Sequence, residues 1–252
     1  EKNHNRKIDF SKMDYDNPKV FELLSSGNTL GVFQLESAGM RVFMKQLKPD
    51  NFEDIVAGIS LYRPGPMDSI PTYIENKTNP QNVTYLHEKL KPIMGVTYGC
   101  LVYQEQVMQV VRELGGYTYG RSDLVRRAMG KKKMDVMEEE RRYFVYGKED
   151  ENGNIEIAGC IRNGVPEDIA NKIFDDMIDF AKYAFNKSHA AAYGVLSYQT
   201  AYLKAYYPVE FMAALITSVM GNTDKVVEYI RECNALGIEA VSYTHLTLPT
   251  TP

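Results

Sequence analysis

The sequence predicts a mainly α domain with short β elements (α+β), and three observations carry that prediction. Apolar residues recur at helical spacing along most of the chain. Capping residues, prolines and glycines punctuate those runs at helix-like lengths. Strand signals, by contrast, are confined to three short stretches.

Taken in order, Asp14-Tyr15-Asp16 has the Asp-x-Asp spacing of a metal-binding strand, but Asn17-Pro18 and the helix-like Lys19 to Leu24 follow at once. Asp16 or Asn17 therefore reads as helix-start chemistry. Thr29 to Leu35 reads as a short strand. Met40, Phe43, Met44 and Leu47 form a helical face that stops before Lys48-Pro49, and Phe52, Ile55, Val56 and Ile59 repeat it after Asp50-Asn51. Arg63-Pro-Gly-Pro66 follows a helix ending near Tyr62. It is either a rigid turn presenting a guanidinium or a plain terminator. Gly99 to Tyr103 is a second short strand, after which Tyr103-Gln-Glu-Gln-Val-Met108 opens a helix marked by Val107, Val111 and Leu114 and ended by Gly115-Gly116. Ser122 is placed to cap the next helix, with Asp123 in its first turn and Gly130 as its stop. Asn152-Gly153, between Val145 and Ile157, reads as a hairpin turn. Ile169, Ile173, Phe174, Met177 and Ala181 mark a long helix beginning near Pro166, Ser188 is placed to cap another, and Val226 to Leu236 is a last one. A tyrosine pair one turn apart, Tyr198 and Tyr202, reads as packing rather than a base-stacking platform.

A chain of 252 residues with 44% hydrophobic content is long enough for one large domain or two small ones with a sizeable core. The net charge of -4 excludes a polycation that coats nucleic acid, so any anion site must be local. Cys100, Cys160 and Cys233 lie far apart with no C-x-x-C pair, which argues against a zinc site or a disulfide framework and favours a reducing cytoplasm. No apolar run is long enough to cross a bilayer, and the first residues lack a signal-peptide pattern. Opening on Glu1 suggests an internal piece of a longer chain. At the other end, Val241-Ser-Tyr-Thr-His-Leu-Thr-Leu-Pro-Thr-Thr-Pro252 changes composition abruptly and resembles the translation of a sequencing-library adapter.

Chemistry concentrates in two stretches. Between Arg121 and Lys133 six basic residues face one acid, Asp123, and Arg126 and Arg127 project near the Lys131 to Lys133 turn. Guanidinium forks beside ammonium groups suit a polyphosphate, the alternative being a solvated charged face. In Phe185-Asn-Lys-Ser-His-Ala-Ala-Ala-Tyr193, free N–H groups at a helix start beside Lys187 and His189 would make a second phosphate pocket, the alternative being an ordinary capped helix.

In order, Gly31 to Ser37, Tyr62 to Pro66, Tyr98-Gly99, Tyr103 to Met108, Asp123 to Lys133, Phe185 to Tyr193 and Tyr207 to Met212 resemble the fingers region of C-family replicative DNA polymerases, the alpha subunits of bacterial DNA polymerase III. The resemblance spans residues 10 to 240. It implies a helical fingers domain over residues 26–215, with a hairpin insertion at 146–164. Around it lie a linker from a missing palm (1–25), the start of a helix-hairpin-helix region (216–240) and the adapter-derived tail (241–252). It further implies that Arg126, Arg127, Lys131, Lys187, Ser188 and His189 hold the triphosphate of an incoming dNTP, with Arg63 and Gln104 as secondary candidates. The family's catalytic aspartates belong to the palm. Lys7-Ile-Asp-Phe10 imitates one palm motif but continues differently, so Asp9 reads as a linker residue, and these residues contain no catalytic group and no metal ligand. Implied for the parent enzyme are Mg²⁺ in the palm, primer-template DNA and dNTPs, the sliding clamp and other replisome subunits, no membrane, and the bacterial cytoplasm. The fragment alone is expected to be inactive. Rival readings are a stand-alone phosphate- or nucleic-acid-binding module and a hydrolase built on Asp14, Asp16 and His189.

Overall fold

The computed structural model describes residue 4 and residues 7–131, 134–181 and 183–240; the tail at 241–252 and two of the three lysines of the basic run, Lys132 and Lys133, lie outside them. Along the chain run α1 (Pro18–Ser26), α2 (Ala38–Leu47), α3 (Phe52–Leu61), α4 (Ile70–Thr78), the single turn α5 (Lys91–Met94), α6 (Gln104–Gly115), α7 (Tyr119–Gly130) and α8 (Met134–Tyr146). Strands β1 (Lys148–Glu149) and β2 (Ile155–Ile157) precede α9 (Glu167–Ala181), α10 (Lys187–Tyr206), α11 (Pro208–Ser218) and α12 (Thr223–Ala235). The predicted class, mainly α with minor β, is the one observed. Two compact units divide the chain, residues 1–55 with 193–252 and residues 56–192.

In the first unit the helix starts follow the capping chemistry of the sequence. The Asn17 side chain accepts from the Lys19 N–H with Pro18 in the first turn, and the Ser37 side chain accepts from the Met40 N–H. Val20, Phe21 and Leu24 of α1 are buried, as are Met40, Phe43, Met44 and Leu47 of α2. Tyr198 is fully buried against Tyr15, Phe21 and Phe52, and its hydroxyl accepts from the Asn17 N–H at 2.8 Å. That is packing with a satisfied polar tip, as its spacing suggested. The strand expected at Thr29 to Leu35 is absent. Gly31 and Gln34 take positive φ (80° and 62°), so this segment folds into successive turns closed by the Thr29 hydroxyl donating to the Leu35 carbonyl. Hydrophobicity alone could not separate a strand from a buried turn. A second small core joins Leu30, Met212, Tyr229 and Cys233 around α11 and α12.

The second unit is built around α6, whose Val107, Val110, Val111 and Leu114 are buried with Phe144, Ile157, Ile173, Phe174 and Met177. Buried Gln106 locks the start of α6: its carbonyl accepts from the Val102 and Tyr103 N–H groups, and its amide donates to the Ile93 carbonyl and the Thr97 hydroxyl. A buried amide satisfied on every side fixes the backbone on which the site is carried. Gly116, at φ 75°, closes the helix as predicted. The strand expected at Gly99 to Tyr103 shrinks to a single parallel bridge, Tyr103 to Phe185, because Gly99 at φ 82° turns the chain first. The hairpin at Asn152-Gly153 is present between β1 and β2, with Asp150 accepting from the N–H groups of Asn152 and Asn154.

Helix α7 begins earlier than expected. Thr118, not Ser122, caps it by accepting from the Arg121 N–H, and Ser122 lies buried inside the helix. The cap four residues upstream wins because Ser122 is buried inside the helix. Beneath the hairpin, a Cβ at Gly159 (φ 80°) would come within 2.3 Å of the Gly147 nitrogen. Gly159→Ala is therefore expected to destabilise this unit by about 3 kcal/mol or more, from positive-φ strain plus a backbone shift, which urea unfolding followed by circular dichroism will measure.

Candidate phosphate-binding site

Helix geometry brings the first two candidates, Arg126 and Arg127, together with an acid. Asp123, Arg126 and Arg127 stand at i, i+3 and i+4 on α7, so their side chains share one face. One oxygen of Asp123 accepts from Arg126 Nε at 2.9 Å and Nη2 at 2.7 Å. The other lies 2.7 Å from Arg127 Nη2. The hydrogen bond from Arg126, with both guanidinium charges, holds the Asp123 carboxyl below the usual carboxylate range. Arg126 Nη1 donates to the Gln104 side-chain oxygen at 2.9 Å, and Gln104 in turn donates from Nε2 to the Ala184 carbonyl at 3.1 Å. Arg126 is half-buried, Arg127 and Lys131 exposed. With Gln104, Val107, Gly130, Ala181 and Ala184 these three cations line one cavity of about 220 Å³. Three of the other lining residues, Gly130, Ala181 and Ala184, are small.

Among the described residues, the other basic residue of this stretch does something else. Arg121 pairs with Glu140 at 2.8 Å and Glu156 at 3.2 Å, while the Tyr117 hydroxyl donates to the same Glu140 carboxylate at 3.0 Å. Burial and that carboxylate push the Tyr117 phenol well above its ordinary value. Arg121 thus fastens α7 to α8 and the hairpin.

The second candidate group sits at the start of α10. Ser188 does not cap this helix, which begins one residue earlier; the Asn186 side chain accepts from the His189 N–H at 2.9 Å. The N–H of Lys187 is engaged by the Glu105 carboxylate at 3.0 and 3.1 Å, and Asn186 donates to the same group. A carboxylate of the protein therefore already meets the positive end of the helix dipole, a partner that no local spacing revealed. Lys187 Nζ lies 5.1 Å from the centre of the Tyr103 ring, and the His189 ring meets Phe185 edge-on. Ser188 and His189 are exposed. None of Lys187, Ser188 and His189 lines the cavity beside α7, but they are tied to it through α6: Gln104 holds Arg126 and Ala184, and neighbouring Glu105 holds Asn186 and Lys187.

Arg63 is placed by its turn as a strut. Nε donates to the Ser60 carbonyl and Nη2 to the Tyr183 carbonyl, both at 2.9 Å, and the guanidinium lies 4.1 Å from the Phe185 ring centre. Burial lowers its pKa from the ordinary arginine value. Gly65, at φ 103°, allows this packing, since a Cβ there would overlap the Tyr183 ring. Among the described residues no group of three His, Cys, Asp or Glu side chains converges on a metal position. Cys100 and Cys160 are free thiols that burial pushes up to about 11 and about 12. Among the same residues no helix is long and apolar enough to cross a membrane.

A family model of the bacterial DNA polymerase III alpha subunit finger domain matches residues 1–152. The chain is 52% identical over 236 residues to DNA polymerase III subunit alpha of Thermus aquaticus, covering 92% of this chain and 18% of that protein. It is 47% identical over 238 residues to the subunit from Bacillus subtilis, covering 94% and 20%, and 46% identical over 231 residues to that of Staphylococcus aureus strain N315, covering 92% and 21%. The chain thus spans about a fifth of the length of these curated relatives. With more than half its length matched by the family model and nearly half or more of the aligned residues identical, the chain belongs to the bacterial DNA polymerase III alpha subunit finger domain family.

Proposed function

We propose that this chain is the fingers module of a replicative DNA-directed DNA polymerase, and that it grips the triphosphate of the incoming deoxynucleotide during template-directed synthesis. The observation that carries this reading is the shared cavity of Arg126, Arg127 and Lys131, three cations whose other lining residues include the small Gly130, Ala181 and Ala184. In the parent reaction a primer 3′-hydroxyl attacks the α-phosphorus, the bond to the oxygen bridging the α- and β-phosphates breaks, and pyrophosphate leaves. Charge on the leaving oxygens grows as that bond breaks, and fixed guanidinium and ammonium groups offset it without reorganising. Mg²⁺ would belong to a palm domain. Primer-template DNA, dNTPs, the sliding clamp and other replisome subunits would be partners through the parent protein, in the bacterial cytoplasm. Lys187, Ser188 and His189 form a second set of contacts on this reading, with Arg63 behind Phe185.

The rival is a stand-alone phosphate- or nucleic-acid-binding module, and salt separates the two. Titrating the chain with a dNTP and with short duplex DNA between about 50 and 200 mM salt should show a preference for the triphosphate. Duplex binding that falls steeply with salt, without that preference, favours the rival.

A further inference from the structure

Asp123 is the one acid in the basic stretch, and its carboxylate grips both arginines that line the cavity while it is not itself one of the lining residues. It therefore holds the guanidiniums from behind. Together with Gln104 it fixes the Nε, Nη1 and Nη2 groups of Arg126, leaving that long side chain little freedom, and its second oxygen does the same from one side for exposed Arg127. An arginine free in solvent must lose its rotamer freedom when it meets a phosphate; one already held does not.

We propose that Asp123 is a positioning residue of the triphosphate site, pre-ordering Arg126 and Arg127 for the ligand. The proposal rests on the reading that this cavity binds a triphosphate. It makes a prediction opposite in sign to simple electrostatics. Deleting a negative charge beside an anion site ought to tighten anion binding; deleting a positioning carboxylate should weaken it.

The test is calorimetric titration of the 252-residue chain with inorganic tripolyphosphate in magnesium-free buffer, for the unaltered chain, Asp123→Ala, Asp123→Asn and Arg126→Ala, each checked for folding by circular dichroism. Asp123→Ala should bind about tenfold more weakly, equivalent to about 1.4 kcal/mol. Asp123→Asn, which keeps one oxygen for Arg126 but offers Arg127 an amide, should fall between. Equal or tighter binding by Asp123→Ala, with binding lost in Arg126→Ala, overturns the positioning role and leaves the site standing. Failure of the unaltered chain to bind, or Arg126→Ala binding as well as the unaltered chain, removes the site and the proposal with it. Should Asp123→Ala not fold, the near-isosteric Asp123→Asn decides alone: weaker binding supports the role and tighter binding refutes it.

Discussion

Arg126→Ala is expected to weaken triphosphate binding about 10- to 100-fold, the largest effect of any single change at the site. The estimate follows from losing a charge-assisted hydrogen bond, about 1.5–3 kcal/mol, from a half-buried position where water replaces it poorly. Two further groups are left behind: the Gln104 oxygen loses its donor, and Asp123 keeps only Arg127. Arg127→Ala should cost less, because Arg127 is largely exposed and its charge is more strongly screened. In the parent polymerase both changes should appear as a raised nucleotide KM or a lowered kcat, and unchanged values for both constants would remove these arginines from the site. Arg126→Lys separates charge from geometry, since an ammonium cannot reach Gln104, Asp123 and a phosphate in the same planar arrangement.

The second large effect is on stability and lies in the other unit. Lys204 is buried, donates to the Leu30 carbonyl at 2.8 Å and pairs with Glu232 at 2.6 Å. Glu232→Ala strands that ammonium and is expected to cost about 3–5 kcal/mol, whereas the double replacement Lys204→Met with Glu232→Leu should come within about 1–2 kcal/mol of the starting protein. Burial, opposed in part by the bond to Glu232, holds the Lys204 pKa below its ordinary value of 10.5. For a base depressed in the folded state, the unfolded chain binds more protons between the folded value and 10.5. Stability is therefore penalised in full below the folded value and rises with pH through that window. Losing Glu232 depresses the folded value further, so the gap between Glu232→Ala and the unaltered protein should narrow as pH rises from the variant's folded value to that of the unaltered protein, and stay constant above it. Urea midpoints at neutral and alkaline pH measure it, and a gap that is the same at both would mean the pair does not titrate as argued.

What the sequence made legible is what depends on neighbours in the chain. The periodic apolar faces of α2, α3, α6 and α9, the Asn17-Pro18 start, the Gly116 stop and the Asn152-Gly153 turn are local events, set within a helical turn or two. The two expected strands failed because a short apolar run looks the same whether it pairs or turns, and here positive φ at Gly31, Gln34 and Gly99 decides for turns. The caps misplaced at Ser122 and Ser188 belong to Thr118 and Asn186, upstream residues with equal capping chemistry. At the site, the arginines could be picked out from their spacing, and so could Asp123, whose offsets of three and four to Arg126 and Arg127 signal the clamp. Glu105 could not: its hydrogen bonds to Asn186 and Lys187 cross some eighty positions. For the same reason the split of the basic stretch, with Arg121 turned inward to Glu140 and Glu156, needed the folded chain.

A crystal structure of this chain grown with a non-hydrolysable deoxynucleoside triphosphate would locate the triphosphate directly. Phosphate oxygens are expected within hydrogen-bond distance of Arg126, Arg127 and Lys131, in the cavity that Ala181 and Ala184 also line. A triphosphate bound elsewhere, with that cavity empty, would remove the site.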